Sequence, residues 1–233
     1  MKAAFFAFFF VSLIILLLSL FFYLIYLPRY YARQNLKQFS RGNQFPFELL
    51  LYENEYMLFA KVLTILSGIG FVASSGFILF SSTFFPSFST VCAFMLISSA
   101  LASMGFVFTL LLRLDAYVKL HLLAFSIFMV SSIMFDAMNI LALMKLPEKS
   151  ALTWIFVIAF SMFALAKAVG VLNPKLINWA KLSSTMDSSG AVTYSRPKYF
   201  PLAITEWAFI FAHFVSALFS IIAIFFVLLP YLE

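Results

Sequence analysis

The chain has 233 residues, 64% hydrophobic and 10% charged, with a formal net charge of +6. Its 33 Phe outnumber its 15 Lys+Arg and 9 Asp+Glu together, whereas soluble domains carry roughly 25% charged residues. That balance excludes a soluble globular enzyme, a disordered tail and a disulfide-stapled secreted domain, and implies an integral membrane protein of one domain over 1–233. The one cysteine, Cys92, lies inside an apolar run and has no second cysteine to join.

Six apolar stretches stand out, at 3–27, 62–80, 91–112, 122–144, 151–172 and 202–229. Each approaches or exceeds the roughly 20 residues a membrane helix needs. Barrel strands are shorter and alternate, and helices are the remaining way to satisfy the backbone in lipid. The expected fold is all-α, a polytopic bundle of six transmembrane helices. The first run is too long for a typical signal-peptide core, and Pro28-Arg29-Tyr30-Tyr31 follows it in place of a cleavage pattern. It reads as a retained helix that stops at a basic, aromatic interface.

The connection over 28–61 comes next. Residues 29–41 are helical in pattern and basic, with Gly42-Asn43 as the stop. Arg29, Arg33, Lys37 and Arg41 are candidate contacts for anionic headgroups, each worth about 1 kcal/mol near a charged surface. Phe45-Pro46-Phe47-Glu48 restarts a helix with Pro in its first turn, and 49–59 is expected to lie on the membrane surface. In the second and third spans, Gly70 with Ser74 and Ser99 with Ser103 have the four-residue spacing of closely packed membrane helices. The connection at 113–121 is a tight turn. In the connection at 173–201, segments 180–186 and 191–200 flank Asp187-Ser188-Ser189-Gly190, a pattern for a small cytoplasmic β-hairpin between the fifth and sixth helices.

Basic residues set the expected orientation. The connections at 28–61, 113–121 and 173–201 hold eleven Lys or Arg; Lys2, Lys145 and Lys149 are the three on the opposite side. The positive-inside bias then makes those three connections cytoplasmic and leaves both termini outside. The expected location is the plasma membrane, and the charge calls for no nucleic-acid partner.

Charged and titratable residues within spans are the candidates for function. Lys167 and Glu206 both fall about 6–8 Å below the inner surface at 1.5 Å per residue, so they are expected to form an ion pair. Asp136 is deeper, about 21 Å from the inner edge of its span. Ser132 at i−4 and Asn139 at i+3 share its helix face. His213 lies near mid-membrane, seven residues after Glu206 and on the same face, which is expected to point into the bundle. His121 falls at the cytoplasmic edge. His213 alone makes no metal site, and no cofactor is expected.

No nucleophile elbow, zincin helix or phosphate loop occurs, so an enzyme is not expected. Two functional classes remain. One is an accessory or structural membrane component acting through helix or lipid contacts, its partners being the bilayer and other membrane proteins. The other is a small transporter or proton-coupled carrier using Asp136, Asn139 and His213, with the Lys167–Glu206 pair as a further element. A sealed bundle with an outer apolar groove favours the first, and a cavity reaching Asp136 and His213 favours the second.

Overall fold

A computed structural model describes residues 2–35, 40–50, 55–81, 89–112, 117–146, 148–172, 183–186, 190, 192–195 and 199–228. Its helices are α1 (Lys2–Phe21), α2 (Leu27–Asn35), α3 (Glu55–Ser81), α4 (Ser89–Leu111), α5 (Val118–Met144), α6 (Ala151–Val171) and α7 (Pro201–Leu228). Among the described residues, five runs are long and apolar enough to cross a membrane: Phe6–Arg33, Thr90–Leu111, Val118–Met144, Ala151–Val171 and Pro201–Phe226. The described apolar stretch of α3, Thr64–Ala73, is shorter, although the helix itself has 27 residues.

Neighbours in the chain pack side by side from α3 to α7, with α4 against α5 the most extensive contact. Helix α1 packs on α3 and α7. Helix α7 touches α1, α3, α5 and α6 and is the most enclosed of the five spans, while α6 is the least. The core is largely aromatic. Phe106 and Phe214 meet edge to face at 5.9 Å, Phe71 lies 5.3 Å from Phe106 and 4.6 Å from Phe214, and all three are fully buried.

The first helix does not stop at residue 27. It passes through one π turn, Phe22–Tyr26, and continues as α2 to Asn35. Pro28 has no N–H, so the Leu24 carbonyl four residues earlier loses its helical donor. The Arg41 guanidinium donates to that same carbonyl and lies 5.4 Å from the centroid of the Trp207 ring. Arg41 is thereby engaged by protein groups while its side chain stays exposed.

Residues 40–50 return across this end of the bundle; of the stretch 49–59 expected on the membrane surface, Leu49 and Leu50 are buried, 51–54 lie outside the described residues and 55–59 begin α3. Pro46–Leu50 is a single 3-10 turn, and Phe45, Phe47, Leu49 and Leu50 are buried. The segment is pinned from both sides. Trp207 Nε1 donates to Gln44 O at 3.0 Å, and Phe200 N donates to Gly42 O at 2.6 Å. Gln44 Nε2 reaches the Tyr31 hydroxyl at 2.9 Å. Beyond α6, Ser183–Met186 pairs antiparallel with Val192–Ser195, with Ser183 opposite Ser195 and Met186 opposite Val192. Gly190 between them takes φ +82°, a left-handed conformation that glycine adopts at no steric cost.

Small residues set the helix approaches. Ser99 Oγ donates to Phe71 O at 2.8 Å, joining α4 to α3. A methyl group at Gly70 would lie 2.8 Å from Ile15 of α1, and one at Gly68 would lie 2.7 Å from Ser103 Oγ. The side chain of Ser74 is outside the described residues. The tightest approach involves a glycine that no spacing rule selected: a Cβ on Gly105 would lie 2.6 Å from Phe128 N and 2.8 Å from Ala124 O, both backbone atoms of α5. Gly105→Ala must therefore push α4 from α5, and it is expected to destabilise the fold by about 1–3 kcal/mol. A Cβ at Gly76 meets nothing within 4 Å, so Gly76→Ala is expected to be neutral or stabilising. Thermal unfolding of both variants in detergent checks the contrast.

Candidate functional site

Asp136, Lys167 and His213 converge with Ser and Asn side chains on the junction of α5, α6 and α7. Asp136, Ser132 and Asn139 recur at three- and four-residue intervals on α5, which puts them on one face. Glu206, His213, Ser216 and Ser220 form the matching stripe on α7. All seven are buried, as is Lys167 of α6. Rungs join the two stripes: Ser132 Oγ is 2.9 Å from His213 Nδ1, and Ser220 Oγ donates to Asn139 Oδ1 at 2.5 Å. The residue numbers rise together on both helices, so α5 and α7 run parallel, and α6 returns between them.

Lys167 closes the junction. Its Nζ donates to Asp136 Oδ2 at 2.7 Å, to Ser216 Oγ at 3.1 Å and to Ser132 O at 3.4 Å. An ammonium group has three protons, and here there are three acceptors. The expected Lys167–Glu206 pair does not form, and the reason is depth. Gly170, one residue before the end of α6, lies against the Phe209 ring, already eight residues inside α7. Lys167 extends from there to Ser216, ten residues or about 15 Å beyond Glu206 along the helix axis. Counting from the ends of the apolar runs placed two helices of unequal length at a common edge.

Glu206 pairs instead with His121, a residue the sequence placed at the edge of the membrane. Oε1 of Glu206 and Nε2 of His121 are 2.9 Å apart, and both side chains have 0% exposure. His121 Nδ1 donates to the Leu112 carbonyl at 2.7 Å. With that nitrogen committed, one proton is held between Nε2 and Oε1, and the pair is neutral overall wherever the proton resides. Phe47 and Phe45 of the returning segment stand edge-on to the imidazole at 5.5 and 6.5 Å. This cover is what converts an edge position into a buried one. Spacing from Glu206 to His213 to Ser216 and Ser220 was available in the sequence; the cover over His121 was not.

His213 sits in an aromatic cage, with Phe71 at 4.6 Å and Phe128 and Phe135 each at 5.5 Å between ring centroids. Its Nε2, Asp136 Oδ1 and Glu206 Oε2 make no hydrogen bond among the described residues. Among the described residues, two outer grooves lie elsewhere. One runs between α1 and α3, and the other, lined by residues such as Ile65 and Met104, lies between α3 and α4. Neither is lined by Asp136, Lys167 or His213. Among the described residues, no group of three or more His, Cys, Asp or Glu converges as a metal site would. Of the four candidate headgroup contacts, Arg29 and Arg33 are exposed on α2, Arg41 is engaged as described, and Lys37 lies outside the described residues. Comparison of the chain with protein-family models, curated proteins and solved structures finds no match.

Lys167→Met and Asp136→Asn each strand a buried polar partner, and each is expected to cost about 3–5 kcal/mol. The double variant is expected to cost clearly less than the sum. Lys167→Met combined with Glu206→Gln is expected to be additive, because the two belong to separate pairs. Folded yield and unfolding midpoints in detergent measure both cycles; additivity in the first would dissolve the pair.

Proposed function

We infer that this membrane protein is a non-catalytic structural or accessory component, acting through its lipid-facing and helix-facing surfaces. The observation that carries this reading is the closed polar junction. Lys167, Asp136, Ser132, His213 and Ser216 bond to one another at 0–2% exposure, in a setting where interhelical hydrogen bonds serve to hold helices together. The outward surface is apolar over long stretches, as at Ile158, Met162, Leu165 and Val169 of α6. In the orientation the basic residues favour, 28–61, 113–121 and 173–201 face the cytoplasm, with the paired strands there and both termini outside. The location that goes with it is the plasma membrane.

A carrier is the second reading, and one observation favours it: Asp136 Oδ1 and His213 Nε2 are buried without hydrogen bonds among the described residues. One experiment separates the two. The purified protein is reconstituted in liposomes holding a pH-sensitive dye, and a proton gradient is imposed. The structural reading expects proton flux equal to that of empty liposomes. Flux above that level, abolished by Asp136→Asn in a variant that still folds, overturns it in favour of the carrier.

A further inference from the structure

The groove between α1 and α3 has features that the closed junction does not explain. Its volume is about 540 Å³, inside the roughly 300–1,000 Å³ range of small-molecule sites. Ile15, Leu18, Phe22 and Tyr26 form one bank, and Leu66 and Ile69 form the other. Leu18, Tyr26, Leu66 and Ile69 are all well exposed, so the groove opens sideways from the bundle. At its deep end, Gly70 brings α3 against Ile15. From Ile15 to Tyr26 it extends about 16 Å along the helix, roughly half the ~30 Å hydrocarbon core. That is the reach of one leaflet.

The shallow end is cationic on both banks. Arg29 and Arg33 follow Tyr26 at i+3 and i+7, which continues the groove-lining face onto α2. Both are exposed and have no ion-pair partner among the described residues. The opposite face of α2 is already used: Leu27 is buried, and Tyr31 bonds to Gln44. On α3, Lys61 is exposed too and precedes the groove-lining Ile69 by eight residues, about 12 Å along the helix. Stacked rings mark the boundary, with Phe22 5.2 Å from Tyr26 and Tyr26 6.4 Å from Tyr30. Aromatic residues in such a ladder sit at the headgroup level of a bilayer.

We propose that this groove is a binding site for an anionic glycerophospholipid, with one acyl chain between α1 and α3 and the phosphate held by Arg29, Arg33 and Lys61. The proposal deepens the structural reading by naming a partner, and it rests on that reading only in assigning function to the outer surface. A purely apolar helix from a second copy would fill the groove without using the three cations. A free phosphate would use the cations without the groove. A charged lipid uses both, in the order in which they occur along the helix.

The test is native mass spectrometry of the detergent-purified chain titrated with dioleoyl-phosphatidylglycerol or dioleoyl-phosphatidylcholine. Phosphatidylglycerol is expected to bind at least about tenfold more tightly, given about 1 kcal/mol per cation near the surface. The triple variant Arg29→Gln, Arg33→Gln, Lys61→Gln is expected to erase that preference while retaining weak binding of both lipids. Ile69→Trp, which adds bulk at an exposed position, is expected to reduce binding of both. Equal affinity for the two lipids, or an unchanged preference in the triple variant, overturns the proposal. So does unchanged binding in Ile69→Trp, or cross-linking of groove positions to a second copy in place of lipid. Because all four positions are exposed, unfolding midpoints near that of the parent chain are expected for both variants. The liposome flux assay is independent of these readouts, so loss of the lipid site leaves the structural reading standing, and proton flux would sink that reading without touching the lipid site.

Discussion

The bond from Lys167 to Asp136 is the constraint around which the last three helices are organised. Helix α6 has the least enclosed surface of the spans, and hydrocarbon gives two apolar helices little reason to prefer each other over lipid. A lysine fixed at 2.7 Å to α5 and 3.1 Å to α7 supplies that reason. It also fixes the register of α6, because an ammonium group displaced by one turn would lose all three acceptors. Neutrality follows from the pairing, since each formally charged side chain in the junction is matched by its opposite.

The aromatic core plays the complementary part. Phe71, Phe106, Phe128 and Phe214 fill the space among α3, α4, α5 and α7 in edge-to-face and tilted contacts, which add packing energy with defined geometry. His213 takes its place in this set, with one nitrogen on Ser132 and the rest of the ring among phenyl groups. Polar rungs and aromatic packing therefore occupy the same interface. Water would need to displace rings to reach the hydrogen bonds.

Most of the architecture was legible because hydrophobic length is written directly into composition. The spans expected at 91–112, 122–144, 151–172 and 202–229 differ from α4, α5, α6 and α7 by only a few residues at their ends. The common face of Ser132, Asp136 and Asn139 followed from helical periodicity, and so did the polar face of α7. Partner choice did not follow, because depth was counted from run ends, and helices of unequal length do not share an edge. The extension of the first helix through Pro28 was hidden for a different reason. Its Leu24 carbonyl meets Arg41, a donor seventeen residues away, which only the folded chain brings there. The approach at Gly105 was equally invisible, since a lone glycine has no spacing to detect.

The returning segment at 40–50 bears on how such a chain is made. Its bonds run to Phe200 and Trp207, and the latter is separated from Gln44 by 163 positions. At about 5–20 residues per second, that distance corresponds to roughly 10–30 s of synthesis. Through that interval Phe45, Phe47, Leu49 and Leu50 are on the chain with their final partner not yet translated, and His121 emerges before Glu206. The cover over this end of the bundle is thus among the first parts made and waits for one of the last. The hazard during biogenesis falls on this short apolar segment, whose aromatic side chains wait longest for their cover.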